Sequence, residues 1–198
     1  MNYSECIENA RTHIGNYCKA CPECNGRACK NQMPGPGAKG IGDTAIRNYD
    51  KWKEIRVQMD TIAENKPVDT SLELFGKKFL YPFFAGPVGA VGLHYGDCLD
   101  DVRYNDILVS ACAKYGIAAF TGDGLDSNVM VAATKAIGKT DGIGIPTVKP
   151  WNIDTVAEKM KMVQESKAFA VAMDVDAAGL PFLKNMEPPA GSKTVEQL

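Results

Sequence analysis

A chain of 198 residues, 45% hydrophobic and 23% charged, carries enough apolar material for one substantial core and has the composition of neither a disordered chain nor a membrane protein. A formal charge of −2 with interspersed signs excludes the basic stripe that nucleic acid demands, and the longest apolar run falls far short of the ~20 residues of a spanning helix. A soluble protein with a small-molecule ligand is expected, with no nucleic acid and no membrane as partner; the polar, acidic start Met1 to Glu8 is no signal peptide, which places the seven cysteines in a reducing cytoplasm.

Residues 1–37 form a Cys-rich N-terminal segment. Cys18, Cys21, Cys24 and Cys29 follow the spacing C-x2-C-x2-C-x4-C on a loop bearing Pro22 and Gly26. Thiolates two residues apart on a tight loop can converge on one ion, and soft sulfur ligands suit zinc or an iron–sulfur cluster. The first three match the bacterial ferredoxin spacing and the fourth does not. Two other readings stand beside the metal: reduced thiols at the surface, and a redox-active Cys-x-x-Cys pair, which has no preceding strand to present it. Cys6 is a spare ligand; Cys98 and Cys112 read as lone structural thiols.

From Pro34 to Gly42 the glycines and prolines permit neither helix nor strand. Asp43-Thr44 then opens a predicted helix over 45–62, whose stripe Ile46, Tyr49, Trp52, Ile55, Arg56, Met59 and Ile62 reads as core packing. Residues 66–76 read as a short β segment. They lead into the stretch that organises the chain, Phe79 to Asp97, an apolar run patterned like a strand buried on both faces that breaks at Gly86-Pro87 into a glycine-rich loop. Gly86, Gly89 and Gly92 lack a Cβ, so a flat or anionic group could approach the main chain there; a plain strand-to-helix turn is the alternative.

Beyond His94 helices and strands alternate. Helices are expected over 105–115, 128–137 (capped by Asp126 or Ser127) and 154–165, with strands over 117–120, 142–148 and 168–175, the last again buried on both faces. Successive strands with helices between them imply α/β architecture with a parallel sheet or barrel. Polar groups and glycines gather at the strand ends: Ala85 to Val88, Thr121 to Gly124, Pro146 to Lys149 and Asp174 to Ala177. In a (β/α)8 barrel that face holds the active site, and the rule extends to the carboxyl edge of an open sheet.

The order of these motifs carries a resemblance. Asp43-Thr44 with Arg47-Asn48, Ile55-Arg56, Thr70 to Gly76, Ala85-Gly86-Pro87, His94 to Asp97 and Met173 to Ala177 together resemble the FMN-dependent 2-hydroxy-acid oxidase and dehydrogenase family, which includes glycolate oxidase and lactate oxidase. The resemblance covers about residues 38–198 and implies a TIM (β/α)8 barrel, of which the chain would be the N-terminal portion with about four βα units. It implies FMN at the strand ends, contacted by Ala85, Gly86, Pro87, Val88, Gly89, Thr121, Gly122 and Asp174. It also implies that Asp176 orients a catalytic histidine, the alternative being a helix cap or turn residue. Lys149 is a candidate for the substrate's anionic group, or else a solvated lysine. Where the family has a substrate-binding tyrosine this chain has Gly35 to Gly40, and where it has glutamine and a second tyrosine the chain has Pro146 and Val148.

Thr194 and Gln197 read as a capping box opening a helix at the end of the sequence. The expectation is therefore the N-terminal half of a longer enzyme, oxidising a 2-hydroxy acid to a 2-oxo acid, inactive alone, partnered by the missing C-terminal half and a homo-oligomer at full length. Two alternatives remain at this stage: another FMN-barrel enzyme, such as a relative of type 2 isopentenyl diphosphate isomerase, or a metal-binding or redox-sensing protein organised on the cysteines.

Overall fold

The computed structural model describes residues 1–32, 35–37, 42–175, 185, 187 and 189–198. They group into two compact units, one of Met1–Val68 with Ala90–Asp100 and one of Asp69–Gly89 with Asp101–Leu198.

In the first unit, helix α1 (Tyr3–His13) begins with a capping box: Asn2 Oδ1 accepts the Glu5 N–H at 2.9 Å, and Glu5 Oε2 accepts the Asn2 N–H at 2.9 Å. Helix α2 (Thr44–Trp52) is tied to the cysteine loop by Arg27, whose guanidinium lies 2.9 Å from Asp50. The helix expected to continue to residue 62 stops at Trp52, and Ile55, Val57, Met59 and Ile62 are exposed rather than core. The cause is legible in retrospect. After Trp52 the order Ile55-Arg-Val57-Gln-Met59-Asp alternates with period two, which suits extended backbone and places no continuous stripe on a helix.

The second unit opens with a hairpin, β1 (Leu72–Leu74) antiparallel to β2 (Lys77–Phe79), joined by Phe75 and Gly76 at φ 48° and 75°. The expected strand beyond Phe79, buried on both faces, is reduced to one parallel bridge between Ala85 and Ala119, and Leu80 and Phe83 are more than half exposed. Short helix α3 (Val91–Tyr95) belongs to the first unit. The alternation that follows is observed: α4 (Asp101–Tyr115), β3 (Phe120–Thr121), α5 (Ser127–Lys139), β4 (Ile145–Val148), α6 (Ile153–Glu165) and β5 (Ala172–Met173). Local side chains set the helix starts. Asp126 accepts the Asn128 N–H and Asn152 accepts the Thr155 N–H, each at 2.9 Å.

Strands β3, β4 and β5 are parallel and adjacent in that order, with Thr121 opposite Pro146 and Val148 opposite Met173. Among the described residues the sheet stays open and does not close into a barrel. β5 is half-buried, where burial on both faces was expected. Two apolar clusters hold the helices on the sheet. Val109, Cys112, Ile117, Ala119, Ala136 and Ile137 join α4, β3 and α5, and Met130, Val148, Trp151, Val163 and Ala190 join α5, β4 and α6. At about 1.5–3 kcal/mol for each large buried side chain, these clusters rather than the two- to four-residue strands supply the driving force. At the end of the sequence Gln197 Oε1 accepts the Thr194 N–H at 3.0 Å, the expected capping contact, over a single 3₁₀ turn. No helix of the described residues is long and apolar enough to cross a membrane.

Candidate functional site

Within the second unit, the carboxyl ends of the Ala85 bridge, β3, β4 and β5 lie side by side because their strands are parallel neighbours. Ala85, Val88 and Gly89 are half-buried, while Gly86 and Pro87 are exposed. A Cβ built on Gly86 would meet nothing within 4 Å, so the backbone there is open. Gly122 serves a different end. A Cβ there would lie 2.2 Å from the Val88 carbonyl oxygen, so this glycine lets the first strand-end loop pack directly on the second. Gly122→Ala is expected to force these loops apart and to cost about 1–3 kcal/mol, read as a lowered denaturant midpoint at unchanged m-value; an unchanged midpoint would show that the loops separate freely.

Thr121 is fully buried and Thr147 is 4% exposed, and among the described residues neither hydroxyl has a hydrogen-bond partner. A buried hydroxyl without a partner costs about 1–3 kcal/mol, so each is a standing demand for a polar group, but the register sets Thr121 beside Pro146 and therefore on the face opposite Thr147. The residues standing where glutamine and tyrosine were sought, Pro146 and Val148, are buried, and Val148 packs with Met130, Trp151 and Val163 of the core. Strand alternation puts Thr147 and Lys149 on the opposite side of β4. The polar positions of this strand are therefore one residue along from those expected.

Lys149 and Asp174 are brought together: Nζ lies 2.7 Å from Oδ2, with side chains 19% and 29% exposed, and the Asp174 N–H donates to the Val148 carbonyl at 2.9 Å. The ammonium is thus neither a solvated surface lysine nor buried. It faces a carboxylate at the ends of β4 and β5, where an arriving anion could share it.

Asp123, which the sequence did not single out, is the most connected side chain of the site. Its Oδ1 accepts from Lys159 Nζ at 2.7 Å and from the Gly124 N–H at 2.9 Å; its Oδ2 accepts from Trp151 Nε1 at 2.7 Å and from the Lys149 N–H at 2.9 Å. The Asp123 side chain is inaccessible to solvent and that of Lys159 is 8% exposed. A carboxylate so deeply buried is tolerable only when paired and fully hydrogen-bonded. Lys159 lies on α6, 36 positions from its partner, and reads in sequence as one more solvated helix lysine. The only signal was the Gly122-Asp123-Gly124 triplet at a strand end. Asp176 lies outside the described residues.

In the first unit, His94 is buried and its Nδ1 accepts the Gly35 N–H at 2.9 Å, which leaves the proton of the neutral ring on Nε2. All seven cysteines are free thiols. Burial pushes the Cys29 thiol above its usual range, and negative charge on Cys24, Cys18 or Cys21 would push it further. Yet no three His, Cys, Asp or Glu side chains among the described residues are arranged to hold a metal ion. The expected zinc or iron–sulfur site is not supported: Cys24 is exposed, the other three are half-buried, and the longer last spacing puts Cys29 on a separate turn against Gly37.

A family model described as FMN-dependent dehydrogenase matches residues 35–187. No curated protein matches the chain.

Proposed function

The chain belongs to the FMN-dependent dehydrogenase family, and on that premise we propose that it serves the FMN-dependent oxidation of a 2-hydroxy acid to the corresponding 2-oxo acid. The family's fold is a (β/α)8 barrel, and the parallel β-α succession of the second unit is of the kind from which such a barrel is built. The observation that carries the proposal is the buried hydroxyl of Thr147, unpartnered among the described residues and on the same face of the sheet as Lys149 and Asp174, together with the open backbone at Gly86. A flat heterocycle with polar edges fits that combination.

FMN, when bound, supplies the two-electron acceptor. The protein's own groups would do the rest. The backbone from Ala85 to Gly89 and the side chain of Thr147 would receive the ring, Gly122 would keep the loops close, and Asp174 would hold Lys149 in place. Lys149 would meet the substrate's carboxylate. Oxidation removes the hydroxyl proton and the hydrogen on the adjacent carbon with its electron pair, and the proton needs a base. Asp176 would stabilise the imidazolium formed when a histidine takes it, by accepting a hydrogen bond from the far ring nitrogen.

The test is a titration with FMN followed by flavin fluorescence, together with turnover of glycolate and lactate using an artificial electron acceptor. Thr147→Val should leave the flavin-free protein as stable as before or more so, because an unpaired hydroxyl is removed. It should weaken FMN by about two- to tenfold, at about 0.5–1.5 kcal/mol for the lost hydrogen bond. Equal FMN affinity in this variant and the parent would rule out a ring against Thr147.

A further inference from the structure

We infer that Asp123 is a positioning residue that fixes Lys149 for an anionic ligand, an inference resting on the reading of Lys149 as the group that meets the substrate's carboxylate. Asp123 has no route to a ligand itself, since its side chain is inaccessible and both of its oxygens are occupied. What it holds is the backbone from which Lys149 projects. Its Oδ2 accepts the Lys149 N–H at 2.9 Å; the Lys149 carbonyl accepts the Trp151 N–H at 2.8 Å; and the Trp151 indole N–H returns to the same Oδ2 at 2.7 Å. These three bonds form a closed ring around Pro150, which is itself fully buried and fixed in φ. Lys159 anchors the ring from α6 through Oδ1, at 2.7 Å.

The consequence is pre-organisation. A lysine side chain carries much rotamer freedom, and a ligand that must order both the side chain and its backbone binds more weakly than one that finds them set. Here the backbone is set by Asp123 and the ammonium by Asp174, 2.7 Å away, while 19% exposure leaves the ammonium reachable. Asp123 and Asp174 therefore act on one cation from its two ends.

The experiment compares the full chain with Asp123→Asn and with the double variant Asp123→Leu/Lys159→Met, which replaces the buried pair by apolar groups and so protects the fold if the single variant fails. Amide hydrogen exchange is measured residue by residue, and binding of oxalate, a small planar carboxylate probe, is measured by calorimetry at low ionic strength. In both variants the Lys149 amide is expected to exchange at least about tenfold faster while the Val109 and Ile137 amides stay protected, and oxalate is expected to bind about tenfold more weakly. A Lys149 amide as slow in both variants as in the parent overturns the inference, and so does undiminished oxalate binding in both when Lys149→Met has lost it. If the amide is released but Lys149→Met binds oxalate like the parent, the hold of Asp123 on the backbone is upheld and the reading of Lys149 as a substrate anchor falls.

Discussion

Lys159→Ala is expected to lower the stability of the second unit by about 3–5 kcal/mol, the cost of leaving one member of a buried ion pair without the other. The ammonium removed lies 2.7 Å from Asp123 Oδ1, and the carboxylate left behind has no solvent contact to replace it. Its three remaining donors, the Trp151 indole and the N–H groups of Lys149 and Gly124, carry no full charge. The loss also reaches the core, because the Lys159 ammonium stands 5.7 Å from the centre of the Trp151 ring, and Trp151 is 1% exposed in the cluster with Met130 and Val163. A fall in melting temperature on the order of 10 °C should accompany it. A loss below about 1 kcal/mol would mean that water reaches Asp123 in solution and that the pair ranks with surface ion pairs such as Lys139–Asp106, whose side chains are more than half exposed.

For Asp176→Asn the larger effect is on rate. If this aspartate accepts a hydrogen bond from the far nitrogen of a proton-accepting imidazole, the amide cannot stabilise the imidazolium and favours the wrong tautomer, which costs turnover on the order of 10⁴-fold in the best-characterised His-Asp pair. FMN affinity should be retained, since the ring would rest on Thr147 and the Ala85-to-Gly89 backbone. Steady-state kinetics with a 2-hydroxy acid, beside a flavin titration of the same variant, separate the two properties. Turnover equal to the parent's would reduce Asp176 to a turn residue, and loss of flavin with retained fold would move it into the cofactor site.

These outcomes bear on groups of unequal legibility. Helices α5 and α6 could be placed to within a residue or two because their signals are local: Asp126 and Asn152 bond backbone two and three positions on, and the apolar stripes repeat with the helical period. Gathering of polar residues at strand ends was also legible, since a helix between two strands makes them parallel and brings their carboxyl ends to one edge. The helix forecast through Ile62 failed on a local signal that was present but misread, the change from a period of 3.6 to a period of two after Trp52.

By itself, then, the amino-acid order determined the α/β alternation, the helix caps and the sheet edge at which polar groups gather, because each of these follows from contacts within a few residues or from the repeat of apolar positions. Tertiary structure alone decided the rest. Whether Lys149 stood in solvent or against Asp174, and whether Pro146 or Thr147 faced the site, depended on the register of β4 between its neighbours, where a shift of one residue exchanges the two faces. Whether four cysteines at suggestive spacings would converge depended on the path of their loop, which spacing does not specify. The burial of Asp123 depended on Lys159 and Trp151, 36 and 28 positions away, arriving at one point. A charge can leave water only where opposite charge and donors are assembled around it, and that assembly is made by the packing of α6 and β4 rather than by any neighbour in the chain.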